Sequence, residues 1–139
     1  MGFSHGAAGI GWALMELAAI SGERRFRHAA LEAYRYERND YAAASGRWRD
    51  LRKVGSRDDG PPQPHSACAA TWCHGAAGIA LSRLKSLAIA DGDEIRTDVD
   101  RGLEAVWAHG FGWNHSLCHG DLGNLEVLTQ AAAILGDEL

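Results

Sequence analysis

The sequence has no long apolar run, no excess of basic charge and no recognisable export signal. No stretch approaches the roughly 20 apolar residues that cross a bilayer, so we expect no membrane span. The 14 basic and 18 acidic residues are mixed along the chain, with a formal charge of -4, and without a basic stripe nucleic acid is not an expected partner. The start, MGFSHGAAGI, lacks the basic segment and cleavage site of a secretory signal, so we expect a cytoplasmic protein.

Cysteine is also scarce. The three cysteines are an odd number in a chain without an export signal, which argues against a disulfide framework and favours metal binding or thiol chemistry. Cys73 and Cys118 are each followed directly by His-Gly, whereas Cys68 lies outside that pattern. Two of the three cysteines therefore share one structural position.

Glycine, in contrast, is abundant, with 17 among 139 residues, and several glycines recur at fixed positions of a sequence repeat. HGAAGIGWAL at 5–14, HGAAGIALSR at 74–83 and HGDLGNLEVL at 119–128 all read His-Gly-x-x-Gly before an apolar stretch. Glycine inside a helix costs about 1 kcal/mol relative to alanine, so its recurrence at a helix start indicates a tight turn or a close approach of backbones. Each repeat predicts a helix packed closely against its neighbours.

The apolar spacing predicts five helices and no convincing strand. Three helices start at the repeats and run to about residues 21, 89 and 135, and two more, around 26–34 and 97–108, lie between them. The glycines and prolines of residues 45–64 predict a long loop. The order is inner, outer, loop, inner, outer, inner, which predicts an all-α partial toroid. Because such an array buries each face on the next unit, we expect this chain to be truncated at both ends.

The sequence contains one set of side chains suited to zinc. Zinc is bound by Cys sulfur at about 2.3 Å and His nitrogen at about 2.0–2.1 Å, and a catalytic site keeps three protein ligands and one open position. Cys73, Cys118 and His119 supply such a set. Adjacent residues point about 100° apart on a regular helix, but Cys118 and His119 can converge in the turn before the helix, where Gly120 allows a non-helical backbone. The alternative is that both cysteines are small buried side chains.

His5 and His74 occupy the repeat position of His119, so we expect all three imidazoles at one mouth of the helical ring. An unligated histidine there can act as acid or base near neutral pH, and His5 is the candidate. The alternative is that the unligated imidazoles cap their helices or bond a neighbouring carbonyl. Three further residues, with His74, are candidates for lining the pocket or contacting the ligands: Trp72, His115 and Asp121.

At these residues the chain resembles the lanthionine synthetase cyclase (LanC-like) family, in particular the cyclase domain of class II lanthipeptide synthetases. The matching segments are GFSHGAAGI, YERNDYAAASGRWRDLR, TWCHGAAGIALSRL and SLCHGDLGNLEVL. The resemblance implies a double-layered α/α toroid, similar to the six-hairpin glycosidases. Residues 1–139 are then a partial cyclase domain that lacks the N- and C-terminal parts of the toroid.

The resemblance also implies a reaction. Cys73, Cys118 and His119 match the family's zinc ligands, and His5 matches its acid/base. The implied reaction adds a peptide cysteine thiolate to dehydroalanine or dehydrobutyrine in a dehydrated lanthipeptide precursor, forming a lanthionine or methyllanthionine ring. Further partners are the remaining synthetase segments or a second chain. The family's aspartate partner of the histidine is not matched here, and Ala69 stands where stand-alone cyclases often carry arginine.

Three other interpretations stay open. One is a remnant of the cyclase that has no activity as an isolated chain. Another is a noncatalytic helical repeat module that binds another chain through an apolar edge. The third is a glycan-processing α/α toroid, which is disfavoured because glycoside hydrolysis uses a pair of carboxylates and Asp121 stands alone at the starts of the repeats.

Overall fold

The structure is a computed structural model of the chain and describes residues 1–49 and 70–136. These ranges are mostly helical, which confirms the predicted all-α class, and no helix in them is long and apolar enough to cross a membrane. The elements in chain order are α1 (Ala7–Ser21), α2 (Arg24–Arg38), β1 (Tyr41–Ala42), β2 (Arg47–Trp48), α3 (Ala76–Ser86), α4 (Asp93–His109) and α5 (Asp121–Leu135).

The helices form two layers. The inner layer is α1, α3 and α5, with α3 in contact with the other two, and the outer helices α2 and α4 pack on α1 and α3. This is the predicted alternation of an α/α toroid. Helix α3 is buried on almost every side, whereas α1 and α5 each lack a second inner neighbour in the described ranges and carry exposed apolar residues: Ile10, Leu17 and Ile20 on α1, and Leu122, Leu125 and Ile134 on α5.

The helix boundaries follow local signals. Helix α1 ends where Gly22 adopts a φ of 71°, and the Gly22 N–H donates to the Ala18 carbonyl at 2.9 Å. Helix α4 begins at Asp93, earlier than the predicted residue 97, because Asp93 and Glu94 place carboxylates at the positive helix N-terminus. Helix α3 ends at Ser86, before the predicted residue 89.

A short strand pair follows α2, where no strand was predicted. Tyr41 pairs with Trp48 and Ala42 with Arg47 in antiparallel register, and each strand is too short for the alternation of side chains to show in the sequence. Burial of Trp48 against the Tyr41 ring, with centroids 4.9 Å apart, stabilises the pair. The predicted loop at 45–64 thus begins inside this hairpin, and its residues 50–64 lie outside the described ranges.

A buried ion-pair network joins four segments of the chain. Arg83 of α3, Glu37 of α2 and Asp98 of α4 have 0% exposure. The Arg83 guanidinium lies 3.0 Å from Glu37 Oε2 and 3.4 Å from Asp98 Oδ2, and it stacks on the Tyr34 ring at 3.8 Å. Glu37 Oε1 also accepts a hydrogen bond from the Gly2 N–H at 3.0 Å. Burial raises the pKa of the Tyr34 phenol. The network thus connects two outer helices, the central inner helix and the residues before α1.

Candidate metal centre

The repeat motif has one structural role in all three copies. Its first glycine is the N-cap of an inner helix, and its second glycine is the third helical residue. A Cβ atom on the second glycine would collide with the carbonyl oxygen of the residue six positions earlier, because the turn folds directly over the helix start. Such a Cβ atom would lie 1.9 Å from the Phe3 oxygen if placed on Gly9, 2.0 Å from the Trp72 oxygen if placed on Gly78, and 2.0 Å from the Leu117 oxygen if placed on Gly123. The second glycine therefore allows each turn to close on its own helix.

Backbone hydrogen bonds join the three turns in a row. The Ser4 N–H donates to the Cys73 carbonyl at 3.3 Å, and the Cys73 N–H donates to the Cys118 carbonyl at 3.1 Å. A further bond, from the Phe3 N–H to the Trp72 carbonyl at 3.4 Å, strengthens the link between the first two turns. Cys73 is therefore bonded through its backbone to the turns before α1 and before α5.

This row of turns brings the predicted zinc ligands together. The Sγ atoms of Cys73 and Cys118 and a ring nitrogen of His119 all lie within 4.8 Å of one another. Ligands at zinc-binding distances lie less than about 4.6 Å apart, so these three atoms are already close to the separation that the ion requires. Cys118 and His119 are exposed and Cys73 is half-buried, so the cluster is open to solvent on one side.

The two thiols are electrostatically linked. Cys73 and Cys118 are free cysteines, and the hydrogen bond between them raises the pKa of the Cys118 thiol, with desolvation and the charge of Cys73 adding to the effect. Two thiolates this close repel each other, and a cation bound between them removes that repulsion with release of the thiol protons. Cys73, Cys118 and His119, which we call the donor set, therefore suit a thiophilic cation.

Side chains that the sequence analysis missed hold the ligand-bearing turns. Thr71 Oγ1 lies 3.8 Å from Cys73 Sγ and donates to the His74 carbonyl at 2.7 Å. Ser116 Oγ accepts the His119 N–H at 3.2 Å, and Asn114 Oδ1 accepts the Ser116 N–H at 2.9 Å. The sequence signal for the second pair was Asn-x-Ser, a spacing typical of an Asx-turn.

The three repeat histidines do not share one environment. His5 is exposed, with its Nε2 atom 3.4 Å from Ser4 Oγ, and it lies one residue beyond the bond from Ser4 to Cys73. His119 is exposed within the donor set, but His74 is only 3% exposed. The main chain around His74 packs against Gly2 so closely that a side chain at position 2 would have no space for its Cβ atom. Burial thus separates His74 from the exposed imidazoles of His5 and His119.

The remaining candidates, Trp72, His115 and Asp121, lie around the turns before α3 and α5. Asp121 Oδ1 accepts the Gly112 N–H at 3.1 Å, so this carboxylate shapes the turn that carries Cys118. His115 Nδ1 lies 3.6 Å from Asp121 Oδ2, with the imidazole 88% exposed. The Trp72 ring packs on the Phe3 ring, with centroids 5.5 Å apart. None of these three is among the clustered donor atoms in the described part of the chain.

A helical arc with a Cys-Cys-His donor set on its turns agrees with the comparison to known proteins. The family model described as "Lanthionine synthetase C-like protein" matches residues 1–139, and the chain belongs to this family. The chain is similar to the lacticin 481/lactococcin biosynthesis protein LcnDR2 of Lactococcus lactis subsp. lactis, with 26% identity over 136 residues. That match covers 91% of this chain and 13% of the relative, so the chain spans about an eighth of the relative's length.

Proposed function

We propose that this chain is the metal-binding part of a class II lanthipeptide cyclase and that zinc is its metal. The observation that carries the proposal is the convergence of Cys73, Cys118 and His119 within 4.8 Å. Two thiolates and one imidazole are typical zinc ligands, and three protein ligands leave one position open for a substrate. Family membership supports thioether formation as the class of reaction.

In this proposal the donor set stabilises the peptide thiolate, and His5, in the turn before α1, supplies the proton. Zinc held by Cys73, Cys118 and His119 would supply the positive charge that keeps a peptide cysteine as its thiolate near neutral pH. Cys118 and His119 are exposed, so a peptide has access to this position from solvent. The turns before α1, α3 and α5 orient the donors through their mutual backbone hydrogen bonds.

His5 has the role of proton donor in the same proposal. Attack of the peptide sulfur on the β-carbon of dehydroalanine or dehydrobutyrine forms the C–S bond and moves the C=C electron pair into an enolate. The enolate takes a proton at its α-carbon, and histidine is the side chain that most often transfers protons near neutral pH. Its proton balances the one that the peptide thiol loses. The exposure of His5 and the link from Ser4 to Cys73 support this assignment.

The substrate in this proposal is a dehydrated lanthipeptide precursor. Because the chain matches only 13% of its relative, we infer that other synthetase segments or a second chain cover the exposed apolar edges of α1 and α5.

Metal analysis tests the donor set. We expect about one zinc per purified chain and its loss in Cys73→Ala, Cys118→Ala and His119→Ala. Cys68→Ala is the matched control, because this third cysteine lies outside the repeats, and it should keep the metal. A parent protein that binds no zinc after incubation with the ion contradicts the proposal and leaves the noncatalytic helical module.

Turnover is measured separately. The zinc-loaded chain is incubated with a dehydrated precursor, and free thiols are counted by alkylation and mass spectrometry. We expect the thiol count to fall with time. A constant count at full zinc occupancy would assign this chain a metal-binding role without cyclase activity of its own.

A further inference from the structure

A groove opens beside the donor set, between α3 and α5. Its volume is about 320 Å³, and the donor residue Cys118 is part of its wall. Trp72, Leu81 and Leu117 line it with apolar surface, and Glu126 and Gln130 of α5 also line it. The donor set and the groove thus share one side chain.

The size of the groove limits its occupant. Small-molecule pockets range from about 300 to 1,000 Å³, so this groove holds about one large side chain with its backbone rather than a long segment. Successive residues of an extended peptide lie about 3.3–3.6 Å apart. A peptide whose cysteine reaches Cys118 and its partners therefore brings an adjacent residue to the groove.

The polar residues of the groove suit the backbone of such a peptide. Glu126 and Gln130 lie one helical turn apart, and Gln130 Nε2 donates to Glu126 Oε1 at 2.7 Å, which holds the two side chains together. Their oxygen atoms are hydrogen-bond acceptors beside an apolar surface. A buried peptide N–H needs such an acceptor, because burial without one is costly.

We propose that this groove is the subsite for the residue next to the peptide cysteine and that it selects a large aliphatic or aromatic side chain there. Glu126 and Gln130 accept backbone N–H groups of the same segment. The proposal rests on the proposed function, in which the peptide cysteine enters the donor set, and it adds the chemical class of the neighbouring residue.

Binding of unreactive peptides tests this subsite. The probes are five-residue peptides with one cysteine and no dehydrated residue, in which the position before or after the cysteine is Gly, Leu, Phe or Asp. Dissociation constants are measured by calorimetry on the full chain, with and without zinc. In one of the two series we expect Leu and Phe to bind about tenfold or more tightly than Gly, and Asp to bind more weakly than Gly beside Glu126. Equal affinities within both series overturn the proposal.

A pair of leucine variants locates the effect. Leu117 lines the groove and is 67% exposed, so Leu117→Ala removes apolar wall without opening the core. We expect the preference for Leu over Gly to fall to about threefold or less in this variant. Leu125→Ala is the matched control, since Leu125 is 53% exposed on α5 and does not line the groove. An unchanged preference in Leu117→Ala, or an equal loss in Leu125→Ala, contradicts the assignment.

The same measurements separate the two proposals. If the donor set does not bind zinc and the peptide thiol, zinc leaves every peptide affinity unchanged, whatever the neighbouring residue. If the donor set functions but the groove is not a subsite, zinc raises the affinity of every peptide, and the Gly, Leu, Phe and Asp peptides of each series bind zinc-loaded protein equally tightly.

Discussion

Cys73 combines two roles in one residue. Its main chain bonds the turn before α1 through Ser4 and the turn before α5 through Cys118, while its sulfur belongs to the donor set. Cys118 and His119, in contrast, lie together in one turn. Cys73 is therefore the donor whose position depends on packing between inner helices.

The role of His5 leads to a prediction at the scale of one residue. His5→Ala should lower the rate of thioether formation by about 10²–10⁴-fold, because the enolate loses its proton donor. Zinc content should stay at the parental value, since His5 is not among the clustered donors. Rates are measured by thiol alkylation and zinc by metal analysis.

The matched control for this variant is His28→Ala, because the His28 side chain is 79% exposed on the outer helix α2. It should cyclise at the parental rate. If His5→Ala also cyclises the peptide at the parental rate, His5 is not the proton donor.

At the scale of elements, the start of each inner helix is one structural unit. The N-cap glycine, the second glycine and the carbonyl of the residue six positions earlier pack in the same way before α1, α3 and α5. The steric need for the second glycine outweighs its cost of about 1 kcal/mol in a helix. This explains why the repeat places glycine where helix propensity alone favours alanine.

Gly78→Ala tests this packing. Alanine is the better helix former, yet we expect the free energy of unfolding to fall by about 1–3 kcal/mol, because the new Cβ atom meets the Trp72 carbonyl. Zinc affinity should fall as well, since Trp72 directly precedes Cys73. Urea unfolding and a competitive zinc titration measure the two effects.

Gly92→Ala serves as the comparison for Gly78→Ala. Gly92 has a φ of -179°, and no atom of the described residues lies within 4 Å of the place that a Cβ atom would take, so only its preference as the N-cap of α4 is lost. The expected cost is under about 1 kcal/mol, with zinc affinity unchanged. A Gly78→Ala protein as stable as the parent would show that the turn relaxes freely.

At the scale of the whole molecule, the Arg83 network is a polar link between the two hairpins of the described residues. Arg38 of α2 adds a bidentate pair to Asp98 of α4 at 2.9 and 3.0 Å, so the outer helices are bonded to each other as well as to α3. Through Glu37 the network also reaches Gly2, next to the turn that carries His5. The network therefore connects the outer layer to the row of turns at the site.

Removal of Arg83 should destabilise the whole helical fold. Arg83→Ala leaves the buried carboxylates of Glu37 and Asp98 without this partner, and we expect a loss of about 3–5 kcal/mol in the free energy of unfolding. Arg83→Lys keeps a cation but loses the planar fork, so its loss should be smaller. Both are measured by urea unfolding.

The exposed residue Arg27 on α2 provides the control. Arg27→Ala should change the free energy of unfolding by no more than about 0.5 kcal/mol. If Arg83→Ala and Arg27→Ala unfold alike, the buried network does not stabilise the fold.

Much of the fold and of the donor set could be predicted from the sequence, because both depend on local repeats. The His-Gly-x-x-Gly motif predicted the inner helices, and the cysteines before two copies predicted that Cys73 and Cys118 lie together. The strand pair at Tyr41–Ala42 and Arg47–Trp48 was missed because two residues give no periodicity. The burial of His74 was missed because all three copies share the His-Gly-x-x-Gly pattern while each copy has different neighbours in the fold.

The sequence by itself determined where the inner helices start and which side chains can bind a metal, since these follow from glycine sterics and ligand chemistry within short motifs. Only the tertiary structure decided that Arg83 is buried between two carboxylates and that the groove opens beside Cys118. The physical reason is that these features arise from contacts between residues far apart in the chain, whose pairing no local pattern specifies.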